Sequence, residues 1–233
     1  MCGRYMMTSP HEAVRRLFGT EGFPNFPPRY NVAPTQDAPV VVRNKAGGRT
    51  LVLMRWGLVP WWSKGPAGKP MFNARSESAA TTPSFRDSFR ERRCLVPANG
   101  YFEWRATEHG RQPFLFAPKD RSLTAFAGLW DRWREAKDSP AVHSFTILTT
   151  AASDLVRPLH DRMPVILSPA DWPQWLGQEP ANDDALHALL HPGGDEAWQM
   201  LAVSQRVNSF QNDDPSVIEP VDAATGAPLV RPV

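Results

Sequence analysis

The feature that most constrains this chain is a succession of short β-rich runs with little helix between them. "APVVVR" (38–43), "TLVLMRWGLV" (50–59), "RCLVPANGYFEW" (93–104), "QPFLFAP" (112–118), "LTAFAGLWDRW" (123–133), "HSFTILTTA" (143–151), "MPVILS" (163–168) and "WQMLAVS" (198–204) follow one another in hairpin-like order. "NKAGG" (44–48) reads as the turn joining the first two. The 24 prolines are scattered as punctuation and mark no linker. Helix starts are few. Ser9, Pro10 and Glu12 predict an N-cap, first turn and capping box for a helix stopped by Gly19, and Ser168, Pro169 and Asp171 repeat the design up to Gly177. Thr82-Pro83 leads into "SFRDSFRER", with Phe85 and Phe89 on one face, and "DDALHALLH" is a fourth start. Helix and strand do not alternate as βαβ units. The reading is an α+β fold, a single domain on a mostly antiparallel β-sheet or partial barrel with a few flanking helices.

A length of 233 residues gives such a sheet ample core. No apolar run approaches the roughly 20 residues that span a bilayer, and the N-terminus turns polar at once, unlike a signal peptide. Two cysteines, Cys2 and Cys94, make no disulfide framework. The expectation is a cytoplasmic protein with no membrane partner. The formal net charge of +2 hides an asymmetry, since residues 1–120 carry +9 and residues 121–233 carry −7. Of the 26 basic residues 21 are arginine, the side chain best shaped for bidentate phosphate contact. A GC-rich genome accounts for the arginine preference but not for its distribution, so a nucleic-acid partner stays open beside that bland reading.

Several stretches carry possible chemistry, each with a structural alternative. Cys2 in "MCGRY" becomes N-terminal if Met1 is removed, placing an α-amine and a thiol on adjacent carbons; otherwise it is a small buried hydrophobe. That amine–thiol pair suits either N-terminal-nucleophile hydrolysis or condensation with an aldehyde to a thiazolidine. Trp61 and Trp62 in "RWGLVPWW" cannot both point the same way, so at least one is expected to be exposed and to offer a stacking surface for a base. Asn73 and Arg75 in "NARSES" alternate to one side of an extended segment and suit an oxyanion or phosphate, as they also suit any polar surface. Glu103, between Phe102 and Trp104, has a raised pKa if buried and an ordinary one on a polar strand face. His160 in "LHDRMPVIL" is a candidate acid/base, with Asp161 and Arg162 an ion pair or a phosphate contact. The other five histidines read as structural or surface. With no paired histidines, no C-x-x-C and no glycine-rich phosphate loop, neither a metal nor a cofactor is expected.

Taken in order, "MCGRY", "RYNVAPT" (29–35), "RWGLVPWW", "NARSE", "RRCLVPANGYFEW", "LTTAA" (148–152), "HDRMPVIL" and "VSQRVN" (203–208) resemble the SRAP family of SOS-response-associated peptidases, understood as abasic-site processing proteins. The resemblance covers residues 1–221 as one domain and leaves 222–233 as a C-terminal tail. It implies a monomer that binds single-stranded DNA at an abasic site and cross-links to it through processed Cys2, shielding the lesion from strand cleavage and error-prone repair. It assigns catalytic roles to Cys2, Asn73, Glu103 and His160. It assigns DNA contacts to Arg4, Pro34, Trp61, Trp62, Arg75, Trp104, Thr149 and Arg162. Self-removal of Met1 and lyase cleavage at the lesion are activities the resemblance leaves open. The alternatives are an N-terminal-nucleophile amidotransferase or peptidase, and a DNA binder that needs no Cys2.

Overall fold

The computed structural model describes residues 2–22, 24–66, 69–108 and 110–229. The strands are β1 (Tyr5–Met7), β2 (Thr20–Glu21), β3 (Arg29–Val32), β4 (Asp37–Arg43), β5 (Arg49–Trp56), β6 (Asn73–Arg75), β7 (Arg93–Ala98), β8 (Gly100–Thr107), β9 (Gly110–Pro118), β10 (Thr124–Trp133), β11 (Val142–Ala151), β12 (Arg162–Pro164), β13 (Ile166–Leu167) and β14 (Trp198–Ala202). Five short helices flank them: α1 (His11–Phe18), α2 (Ser76–Ala79), α3 (Arg86–Glu91), α4 (Trp172–Trp175) and α5 (Asp183–Ala188).

Two sheets share the chain. In the larger, β11, β10, β7, β4 and β5 pair antiparallel in that order. A parallel pairing of β5 with β11, Arg55 opposite Ser144 and Trp56 opposite Phe145, joins the two ends into a closed five-stranded barrel. The inward positions are apolar and buried, among them Val40, Val96, Phe126, Phe145 and Ile147. The smaller sheet runs β14-β9-β8-β1-β3 and packs a second apolar cluster of Met6, Phe102, Leu115, Val207 and Val217. The α+β expectation with a partial barrel is met, and the barrel is closed. Asn44–Gly48 forms the expected β4–β5 turn, its first side chain accepting from the amides of Ala46 and Gly48.

Two local expectations are corrected. "RCLVPANGYFEW" is two strands, β7 in the barrel and β8 in the smaller sheet, broken at Asn99. Asn99 also displaces the proposed cap of α1. Its Oδ1 accepts from the amides of Thr8 and Ser9 and its Nδ2 donates to Ser9 Oγ, so Ser9 is engaged away from the helix. Helix α1 therefore begins at His11 with no side-chain cap, and Gly19 ends it in the left-handed conformation as expected. The chain continues past Val221, which pairs with Pro228 in a turned-back segment.

Candidate functional site

Strand β1 lies between β3 and β8 in the smaller sheet, and this brings the start of the chain to Glu103. Beside this junction opens a cleft of about 790 Å³ lined by Gly3, Arg4, Glu103, Trp104, His160 and Arg111. Cys2 lies beneath Gly3 and Arg4, fully buried, its thiol 3.7 Å from the Arg4 carbonyl. Burial, and then the neighbouring charge of Glu103, push the Cys2 thiol well above its ordinary pKa. The structural reading of Cys2 as a small buried hydrophobe is met, and its neighbours Gly3 and Arg4 line the polar cleft.

Glu103 is 4% exposed, directed by β8 into the cleft between buried Phe102 and half-buried Trp104. Burial lifts its carboxyl to about 7, with the Asp161 charge adding to the shift. The Trp104 indole donates to Asn208 Oδ1 at 2.7 Å, and the Arg4 guanidinium lies 5.9 Å from its ring centre. Arg4 donates to Asn31 Oδ1 at 2.8 Å and to the Val207 carbonyl at 2.9 Å, while Asn31 donates onward to the carbonyls of Val207, Ser209 and Asn212. The "VSQRVN" segment thus fixes the cleft's near wall. Asn31, Asn208 and Arg111 escaped the residue-by-residue reading because each sits in an ordinary polar context locally.

His160 enters from the turn before β12. The Arg162 amide donates to its Nδ1 at 2.9 Å, which holds the ring proton on Nε2. Asp161 also approaches Nδ1, at 3.0 Å, a contact that needs the proton on that nitrogen. Burial lowers the His160 pKa, so the neutral ring accepting from the amide is the form near pH 7.

Asn73 opens β6, which lies parallel to β11 with Asn73 opposite Ile147. Its Nδ2 donates to the Phe72 carbonyl, and its buried Oδ1 accepts no hydrogen bond from the described residues. Arg75 is exposed two residues on, as the alternation required. Arg162 differs from expectation. Its fork is already bidentate on Glu77, at 2.6 and 2.7 Å, and it donates to the Thr149 carbonyl at 2.5 Å. Thr149 itself is fully buried, so it holds Arg162 from behind and does not line the cleft. Pro34, half-buried in the turn after β3, also lies off the cleft wall. Trp61 and Trp62 are 57% and 53% exposed, so both indoles face solvent where at least one was expected to. They stand outside the cleft wall, on a loop anchored where Asp131 accepts from the Trp61 amide. Of the five remaining histidines, His11 pairs with Glu12 at the surface and His187 stacks on Phe89; His109 lies outside the described residues. No described helix is long and apolar enough to cross a membrane.

Comparison with known proteins gives one consistent answer. The family model described as SOS response associated peptidase (SRAP) matches residues 1–210. Abasic site processing protein YoqW of Bacillus subtilis (strain 168) is 35% identical over 224 residues, covering 94% of this chain and 99% of that protein. Abasic site processing protein HMCES of Gallus gallus is 30% identical over 84% of this chain and 67% of its own length. A solved structure of a Bacteroides thetaiotaomicron protein shares the fold at a TM-score of 0.85 and 24% identity, with 94% of this chain and all of that one aligned.

Proposed function

The chain belongs to the SOS response associated peptidase family, and from that premise we propose that it processes abasic sites in DNA through Cys2. In this reading Met1 is removed, single-stranded DNA enters the cleft, and Cys2 closes a thiazolidine on the ring-opened abasic sugar. The observation that carries it is that Glu103 and His160 line one cleft with Gly3 and Arg4, the residues next to buried Cys2, whose thiol feels the Glu103 charge.

The chemistry follows from the protonation states. A terminal α-amine titrates near 8, so a useful fraction is neutral at pH 7. A buried thiol pushed upward stays protonated, which makes the amine the first nucleophile. The amine attacks the sugar aldehyde, the carbinolamine loses water, and an imine forms. Glu103, near half-protonated at pH 7, donates to the departing hydroxyl and takes a proton from the attacking nitrogen. The thiol then adds across the C=N bond. A C–S bond forms, the thiol proton passes to nitrogen, and the five-membered ring closes. Both nucleophiles belong to one residue, so closure is intramolecular and fast. Asn73 Oδ1 accepts from a sugar hydroxyl, and the Nε2–H of His160 donates to a sugar or phosphate oxygen. Arg4, Arg75 and the exposed tryptophans supply backbone and base contacts. A thiol held protonated is a poor first nucleophile toward an amide, which weighs against the amidotransferase and peptidase alternatives.

The test is incubation of purified protein with single-stranded DNA bearing one abasic site, read by denaturing gel and intact mass. A heat-stable adduct on abasic DNA only, lacking Met1 and absent from Cys2→Ala, is the expected result. No adduct from protein whose Met1 is shown to be absent overturns the reading.

A further inference from the structure

At the far end of β7 from its turn into β8 lies a second cavity, of about 520 Å³, that the Cys2 chemistry does not use. The five residue steps from Arg93 to Ala98 place its floor about 17 Å along the strand from that turn. Its lining includes Arg43, Lys45, Arg90, Arg93 and Trp130, with Glu91 the one acid. Three features make it more than a scatter of surface charge.

First, arginines face each other across the sheet. Arg43 pairs directly with Arg49, whose guanidinium is held by Gln178 Oε1 and the Phe18 carbonyl, so that Arg43 alone of the two lines the cavity. Second, the positions of the arginines are built. Arg93 donates to the carbonyls of Trp175, Phe89 and Arg90, and its guanidinium lies 5.8 Å from the Trp175 ring centre. Gly177, left-handed at φ +73°, keeps the space between two guanidinium groups open. A Cβ there would sit 3.1 Å from Arg93 Nη2 and 3.9 Å from Arg43 Nη1. Third, Arg43 and Lys45 are exposed and engage no partner among the described residues, whereas Arg90 is paired with Glu91. Trp130, half-buried and tilted against His143 with ring centres 6.3 Å apart, also lines the basin. Unpaired cations beside an aromatic side chain match the two recognition elements of single-stranded nucleic acid, phosphate and base.

We propose that this basin is a second nucleic-acid contact, in which Arg43 and Lys45 take backbone phosphates of a single strand and a base lies on Trp130. The choice of ligand rests on the DNA-processing reading above, but the site and its residues are independent of Cys2. The basin adds affinity for strands long enough to reach it and takes no part in the covalent step.

The experiment is fluorescence anisotropy with a long undamaged single-stranded oligonucleotide across a salt series, comparing wild type with Arg43→Gln/Lys45→Gln. Loss of two phosphate contacts lowers the slope of log K against log salt by about 1.4, at about 0.7 per phosphate, and weakens binding several-fold at moderate salt. Arg15→Gln/Arg16→Gln removes the same charge from the exposed face of α1 and leaves the slope unchanged. Trp130→Leu weakens binding about tenfold, while Trp130→Phe retains most of it. Cross-linking of an abasic oligonucleotide too short to span cleft and basin proceeds equally in wild type and the Arg43/Lys45 variant. An identical slope change in both double variants, or none in either, overturns the proposal, because the charge then acts only as a general field. If the wild type forms no adduct at all, the Cys2 reading fails, while the slope comparison still decides the basin.

Discussion

Glu103 illustrates at the scale of one residue how burial sets a working pKa. An exposed glutamate titrates near 4.3, and this one is raised to about 7 by desolvation inside β8's apolar flanks. Between those two values the folded chain binds more protons than the unfolded one. Stability therefore falls as pH rises from about 4.3 to about 7 and levels off above. Glu103→Gln removes that penalty. It is expected to melt higher than wild type at pH 8 by roughly 5 °C, with the difference vanishing toward pH 5, measured by calorimetry. The same variant is expected to cross-link abasic DNA about 10²- to 10⁴-fold more slowly, since it has lost the acid/base group. A variant that is more stable yet slower separates a catalytic carboxyl from a structural one. Sequence alone showed the aromatic flanks and left the burial open; the pairing of β8 with β9 and β1 decided it.

Among the elements, β10 shows how tightly the barrel closes. Gly128 pairs with Ile147 on one side and Cys94 on the other. A Cβ at Gly128 would meet Cys94 Sγ at 2.8 Å, Val96 Cγ2 at 3.0 Å and the Thr146 carbonyl at 3.1 Å. Gly128→Ala is expected to destabilise the protein by about 1–3 kcal/mol in urea unfolding. Cys94→Ala in the same chain should recover part of that loss, because removing the sulfur vacates the nearest clash. Strand existence was largely legible here, since β4, β5, β9, β10 and β11 coincide with the apolar runs. The break at Asn99 was not, because its signal is a side chain bonding to Thr8 and Ser9, 90 residues or more away in the chain. The Ser9 cap failed for the same reason: a local motif lost its serine to a distant amide.

For the whole molecule, the parallel pairing of β5 with β11 is the contact that turns a curved sheet into a barrel. It joins strands about ninety residues apart, so it is a non-local contact of the kind that slows folding. The segment after Val221 is peripheral by comparison. It turns at Asp222–Gly226 and returns to pair with Pro220 and Val221, with Leu229 exposed. Truncation after Val221 is expected to leave a single cooperative transition within about 1 kcal/mol of the full chain, with cross-linking intact. A larger loss would make the tail an integral part of the domain.

What the amino-acid order determined by itself is the β-rich architecture, the turn at Asn44–Gly48, the family resemblance and the candidate set centred on Cys2, Asn73, Glu103 and His160. These are local in cause: apolar runs, turn residues and short motifs act over a few neighbours. Tertiary structure alone decided which of those residues share a cleft, that Arg162 is held by Glu77, and that Thr149 stands behind the wall. It also brought Arg43, Lys45 and Arg93 around Gly177. The physical reason is that burial and electrostatic neighbours are set by strand register, and register joins residues whose separation in the chain carries no local signal.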